Sequence, residues 1–311
     1  MGSWTYTYDT LNRLVSRDVI GVGAATYLYD AEGRICAVQS GTVDGMPLRT
    51  GYIYDADGNR VARGSIASMS CDPGSNGFQF TESYVLDTDG QELTMLDGSG
   101  NWQRTNIFGG GRQLATYDSN GLHFQVTDPL GTRRLQTNAI GEPETDIQSL
   151  PFGDGLNPYP DPNAPTSTDD ATPLHFTGKE RDTESGNDYF GARYYASSMG
   201  RFLSPDPKIM TARHLANPQK WNKYAYVINN PLANFDPDGM DDFKVFLNFL
   251  PGNVDAHSQK QADAQWSQIA AAARQNGHTV EFVKPTVDNY ATALQSGSHV
   301  IDVGHSLEPV S

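Results

Sequence analysis

The sequence has little cysteine, no long hydrophobic run and a deficit of basic charge. Cys36 and Cys71 are the only cysteines in 311 residues, and neither sits in a CxxC or Cys/His spacing. A cysteine-built metal site and a disulfide framework are therefore excluded. A bond between the two remains open, but buried or incidental thiols are the favoured reading, and the redox compartment stays undecided. No apolar stretch approaches the roughly 20 residues that a membrane-crossing helix requires. Lysine and arginine total 22 against 37 aspartates and glutamates, a formal charge of -15. Such a balance offers no attractive field to nucleic acid or anionic lipid, so neither is expected as a partner of the whole chain. Signatures of a serine hydrolase elbow and of a phosphate-binding loop are missing. Gly109-Gly110-Gly111 has no helix after it and reads as a bend or bulge. Met1-Gly2-Ser3-Trp4 leads straight into repeat sequence without a signal peptide. Either export uses a route without a cleaved signal, or the chain is a fragment.

What is abundant is glycine (31), proline (18), tyrosine (15) and phenylalanine (13), the composition of a turn-rich, sheet-rich protein. The first 140 residues carry a degenerate repeat. Its clearest units are Tyr6-Thr7-Tyr8-Asp9 with Asn12-Arg13-Leu14, Tyr27-Leu28-Tyr29-Asp30 with Gly33-Arg34-Ile35, and Tyr52-Ile53-Tyr54-Asp55 with Gly58-Asn59-Arg60-Val61. Weaker copies start at Tyr84, Asn106 and Val126. Tyr-x-Tyr puts two rings on one face of a strand, and Asp opens the turn by accepting backbone hydrogen bonds. Gly or Asn then takes the position that needs positive φ, and Arg-Leu/Ile/Val begins the returning strand. Repeated hairpins of this kind stack edge to edge, because one alone is marginal in water. Ser65 to Asn76 interrupts them as a loop.

Residues 151–173 are polar and proline-rich, with almost nothing to bury, and are expected to form a long surface loop. From Thr177 the chain reads TGKERDTESGNDYFGARYYASSMGRFLSPDP, passes an insert, and closes on WNKYAYVINNPLANFDPDGM. Aromatic runs and Asp-Pro turns suit short antiparallel strands, with Phe176, Tyr189, Phe190, Tyr194, Tyr195, Phe202, Tyr224 and Tyr226 as expected core residues. The insert Lys208–Asn222 is expected to hold one short helix, followed by a strand over Tyr224–Val227.

The Thr177–Met240 stretch resembles the core signature of RHS and YD-repeat proteins, and Asp128-Pro129-Leu130-Gly131-Thr132-Arg133 resembles the entrance to that core. The resemblance implies antiparallel strands wound into a shell fragment over residues 1–127, an RHS core domain over 128–240 and a variable tip domain over 241–311. Most of the chain is covered by it, although few repeat units are present. The overall expectation is a mainly β protein followed by a small, incomplete α/β domain. For that last part the residues give strands at Phe243–Phe249, Thr279–Val283 and His299–Val303, with helices at Ser258–Asn276 and Val287–Leu294.

Two sites of chemistry stand out. Asp206, in Arg201-Phe202-Leu203-Ser204-Pro205-Asp206-Pro207, matches the family aspartate that cuts the chain downstream of the Asp-Pro-x-Gly turn, as in the related C subunits of Tc toxins. Two neighbouring carboxylates sharing a proton provide both a base for water and an acid for the carbonyl. Asp236, in Asp236-Pro237-Asp238-Gly239-Met240, is the nearest second carboxylate by motif, with Asp188 and Asp182 as further options. His305, after the third predicted strand of the tip domain, sits where open α/β sheets place catalytic groups. Its Gly304-His305 segment resembles the histidine segment of caspase-like and CHAT peptidases, but no cysteine follows Cys71 to complete a dyad. Asp255 and His257 make only a weak metal pattern beside it. No cofactor and no metal are expected.

Two functions compete. The resemblance implies the C-terminal part of a secreted RHS-type polymorphic toxin, a carrier that cuts itself after the turn at Met240. Its partners would be its own tip domain, an immunity protein and secretion-system components. The alternative is a non-enzymatic cell-surface or adhesion protein built from YD repeats. The abrupt change of pattern after Met240 favours the carrier.

Overall fold

The computed structural model describes residues 5–19, 23–43, 46–109, 112–155, 157–160, 170–208, 218–232, 234–240 and 244–245. The chain divides into two compact units, Met1–Phe246 and Leu247–Ser311. The second unit lies outside the described residues, and with it the predicted helices and strands beyond 258, as well as His305, Asp255 and His257.

The repeats form one sheet of 14 strands whose spatial order is the chain order. Its members are β1 (Thr5–Tyr8), β2 (Leu14–Val19), β3 (Gly23–Tyr29), β4 (Ile35–Val43), β5 (Met46–Tyr54), β6 (Arg60–Ser65) and β7 (Gln79–Leu86). They continue as β8 (Glu92–Asp97), β9 (Trp102–Gly109), β10 (Arg112–Asp118), β11 (Gly121–Thr127), β12 (Arg133–Thr137), β13 (Pro143–Gln148) and β14 (Asn157–Pro160). Every neighbour is antiparallel, as a string of hairpins requires.

The turn chemistry is that of the motif. Asp55 Oδ1 accepts the backbone N–H groups of Asp57 (3.0 Å) and Asn59 (2.8 Å), and Gly58 stands at φ +91°, where a side chain would be strained. Asp9 does the same for Leu11 and Arg13, with Asn12 taking the left-handed position at φ +61°. Successive units are also cross-linked through their side chains. The Arg13 guanidinium lies 4.5 Å from the Tyr29 ring centroid, and the Tyr29 hydroxyl donates to the Leu14 carbonyl at 2.9 Å. Arg34, Tyr54 and Ile35 repeat that arrangement one unit on, at 4.7 and 2.7 Å. Two hairpin turns of this type, at Asp97 and Asn138, lack the Tyr-x-Tyr lead and so escape the sequence pattern.

A second sheet is made of β15 (Glu180–Arg181), β16 (Asp188–Tyr189), β17 (Tyr194–Ala196) and β18 (Arg201–Phe202), again in chain order. It packs on the large sheet through two apolar clusters. One joins Leu14, Tyr27, Val38 and Tyr52 to Tyr194 and Leu203. The other gathers Ile147, Phe176, Phe190, Tyr195, Phe202 and Tyr226, whose rings meet at centroid distances of 4.8–6.0 Å. Of the expected core aromatics, Tyr189 and Tyr224 are only partly buried. A last pair, β19 (Asn234–Phe235) with β20 (Lys244–Val245), closes the described chain.

Three expectations are corrected. Cys36 and Cys71 form a disulfide, with Cα atoms 5.2 Å apart. The loop at residues 66–78 folds back over β4, bringing Ile66, Met69 and Phe78 against Cys36 and Ala37, and so carries Cys71 to its partner. Residues 151–173 are not wholly a surface loop: Asn157–Pro160 is the last strand of the large sheet, and Ala171 and Thr172 are buried. Proline is tolerated there because the strand lies at the sheet edge. Tyr224–Val227 is no strand; it makes a single bridge, Ala225 to Arg201, and Val227–Asn229 turns as a 3-10 helix at positive φ. The described helical part of the 208–222 insert is a 3-10 turn at Pro218–Trp221.

Candidate functional site

The turn that ends at Met240 is held from three sides by the β16–β17 hairpin and its approach. Ala192 N–H donates to the Asp238 carbonyl (3.0 Å), and Lys179 Nζ donates to the Pro237 carbonyl. Arg193 Nε donates to the Gly239 carbonyl. Gly239 is at φ +76°, and a Cβ there would lie 3.1 Å from Phe190 Cβ and 3.2 Å from Arg193 N, so only glycine fits this seat.

Asp236 is buried inside that turn at 3% exposure. Its Oδ1 accepts from Gly239 N (2.8 Å) and Asp238 N (3.2 Å), and its Oδ2 lies 3.6 Å from Arg193 Nη2. Burial pushes its carboxyl up from the ordinary value, while Arg193 and the two N–H groups pull the other way. Asp236 thus keeps its proton to higher pH than a surface aspartate.

Asp206 sits on the neighbouring segment, half-buried. Its Oδ1 accepts from Lys208 N at 2.7 Å, and its own N–H donates to the Lys223 carbonyl at 2.9 Å. The same Lys223 carbonyl accepts from Arg193 Nη1 at 3.1 Å. Arg193, 4% exposed and stacked 3.7 Å from the Phe202 ring centroid, therefore joins both Asp-Pro turns to one support. Asp182 and Asp188, the other carboxylates considered, are engaged elsewhere. Asp188 is fully buried on Arg181 (2.7 Å), and burial lifts it to about 6. Asp182 belongs to a cluster around Arg60.

Arg193 and Lys223 were not legible as site residues. Arg193 stands in an aromatic run that reads as packing, and Lys223 acts through its backbone carbonyl, which no side-chain motif reports. Among the described residues no group of three or more His, Cys, Asp or Glu is arranged to hold a metal ion. No helix of the described residues is long and apolar enough to cross a membrane.

No family model matches the chain. It is 29% identical over 243 residues to the tRNA3(Ser)-specific nuclease WapA of Bacillus spizizenii, a match covering 76% of this chain and 8% of that protein. Over 67 residues it is 43% identical to the toxin subunit YenC2 of Yersinia entomophaga, covering 22% of this chain and 6% of that one. A crystal structure of TcdB2-TccC3-Cdc42 aligns with a TM-score of 0.34 and 17% identity, over 76% of this chain and 17% of that one. The chain spans less than a tenth of the length of these two curated relatives. These relatives are consistent with a chain similar to RHS-type proteins and Tc toxin C subunits.

Proposed function

We propose that this chain is the β-built carrier of an RHS-type toxin, delivered outside the cell, and that it cuts itself after Met240 to free residues 241–311 as payload. One observation carries the reading: Arg193 and the Lys223 carbonyl tie the Asp206 segment and the Asp236–Gly239 turn to a single buried support just before the cut. Asp206 serves as the base that takes a proton from water. The resulting oxygen attacks the Met240 carbonyl carbon, and a protonated Asp236 donates to the carbonyl oxygen. Collapse of the tetrahedral adduct breaks the C–N bond, and the leaving amine of Asp241 takes up a proton. Burial favours the protonated form of Asp236, which is the form that role needs. Its partners are its own C-terminal segment, an immunity protein that neutralises it, and components of the secretion route.

Intact-mass analysis of the purified wild type, Asp206→Asn and Asp236→Asn tests this. The wild type should yield a fragment ending at Met240, and both variants should stay whole. Equal cleavage of a variant, or a cut elsewhere, defeats the mechanism. An uncut wild type would instead favour Asp206 as a turn residue in a carrier that delivers its C-terminal segment covalently attached.

A further inference from the structure

Where the segment 180–185 meets the large sheet, more acid than base is buried. Arg60, 1% exposed at the start of β6, pairs with Glu180 Oε2 at 2.6 Å and Asp182 Oδ2 at 2.9 Å. Further along β6, Arg63 pairs with Glu184 at 3.2 Å and with Glu82 of β7. Glu92 of β8 pairs with Arg104 of β9 at 2.9 Å. Five carboxylates thus pair with three guanidinium groups; Arg63 also faces Asp182 Oδ1 at 3.9 Å, and a further buried guanidinium at the segment, that of Arg17, donates to the Ser185 carbonyl. The phenols around them do not make up the difference. Tyr52 lies 3.1 Å from Asp182 Oδ2 and also contacts Glu184, Tyr84 donates to Glu82 at 2.8 Å, and Tyr194 accepts from Arg60 at 3.0 Å. Tyr189 closes the cluster over the Arg60 guanidinium, 4.5 Å away. Asp182 Oδ1 and Glu180 Oε1 remain buried without a hydrogen-bond donor.

We propose that this cluster is a proton-operated clasp: with two of its carboxylates protonated it holds the segment 180–185 on the sheet, and on losing those protons it lets the segment go. A cluster of net charge minus two, buried at Glu180 and Asp182 and half-buried at Glu82, Glu92 and Glu184, would be penalised, and two protons remove that charge. Asp182 and Glu92 are the groups that carry them. Burial lifts each to about 7, from ordinary values of 3.8 and 4.5. Burial works in the same direction on Glu180, but Arg60 and Arg63 outweigh it and leave Glu180 lowered, so it stays the ionised partner. Tyr52, Tyr84, Tyr189 and Tyr194 are raised by burial and remain neutral throughout.

The sign follows from linkage. Asp182 and Glu92 bind protons more tightly when folded, so their contribution is complete below about pH 4 and is lost as pH rises to about 7. Within that window each proton costs about tenfold in the closed-to-open ratio per pH unit. Glu180 acts oppositely, but only below its ordinary value of 4.5, at the acidic edge of the window. Asp188 titrates in the same window on Arg181, outside the cluster, so wild type and variants must be compared at matched pH.

Hydrogen exchange of the full chain, read on peptides covering 180–189 from pH 5 to 7.5 and corrected for intrinsic rates, decides the matter. Wild-type protection should fall up to about a hundredfold per pH unit, two protons being lost. In the double variant Asp182→Asn, Glu92→Gln the profile should be flat above about pH 6, because the amides stay neutral at every pH and Asp188 is by then ionised. Glu92→Gln alone, which leaves every contact of the segment's own side chains in place, should reduce the slope to about tenfold per unit. It keeps the test alive should the double variant fail to fold. A flat wild-type profile overturns the clasp, as does an unchanged slope in either variant.

Discussion

Strands β3 to β5 and strands β9 to β12 belong to one antiparallel sheet, yet they turn opposite chemistry toward the core. In the first group Tyr27, Val38 and Tyr52 pack inward. The outward face of that group is covered as well: Ile66 and Phe78 sit so close to Gly51 that a Cβ there would lie 2.7 Å from Ile66 Cγ2. In the second group Asn106, Thr116, His123 and Gln136 are buried, while Ile107, Tyr117, Phe124 and Val126 are 42–51% exposed. The buried polar face is bonded partly within itself and partly to the segment 170–172. Gln113 donates to Asn106 (2.9 Å), Gln125 donates to Gln136 (3.1 Å), and His123 Nδ1 meets Glu144 at 2.6 Å. Strand alternation therefore identifies two faces without saying which one is covered. The covering segments decide, and here they are the 66–78 loop on one side and the core on the other.

The comparison can be broken most forcefully at the junction beside the first group. Arg60→Met leaves Glu180 buried without its cation, and urea unfolding at pH 5, where the clasp is closed, should show a loss of about 3–5 kcal/mol. A loss below about 1 kcal/mol would mean that apolar packing alone holds the two sheets together. The next effect concerns the outer cover of the first group. Cys36→Ser with Cys71→Ser should cost about 2–4 kcal/mol, measured by denaturation with and without reductant. The reductant should affect the wild type and leave the double variant unmoved. The smallest effect is expected on the bare face. Phe124→Thr should change stability by no more than about 0.5 kcal/mol, and a loss above about 1.5 kcal/mol would show that this face is covered in solution.

The hairpins were legible because each turn is a local event: Asp accepts nearby N–H groups and Gly or Asn supplies positive φ, all within five residues. The turn at Asp97 obeys the same rule but lacks the flanking tyrosines, so the pattern passed over it. Long-range pairings left no local trace. Nothing near Cys36 announces Cys71, because their meeting depends on how a loop folds over β4. Asp206 was found by its place in a motif. Its relation to Asp236 runs through Arg193 and a backbone carbonyl, and appears only once the chain is folded. The surplus of acid around Arg60 was hidden for the same reason: its members come from β6, β7, β8, β9 and β15 and their surroundings, each unremarkable where it stands.

The strictly sequential strand order also sets a timetable for folding. Each hairpin of the large sheet needs only the one before it, so the sheet grows from whichever end of the chain becomes available, with low contact order and little search. The small sheet is different, because its contacts reach back 130 residues from Asp182 to Tyr52, 160 from Asn187 to Tyr27 and 168 from Ser185 to Arg17. These contacts need the repeats already present as a surface to dock on, whereas the added cost of closing longer loops grows only slowly with their length. A chain threaded out of a cell from its first residue would therefore zip as it emerges and lock last, with residues 180–203 acting as the bolt.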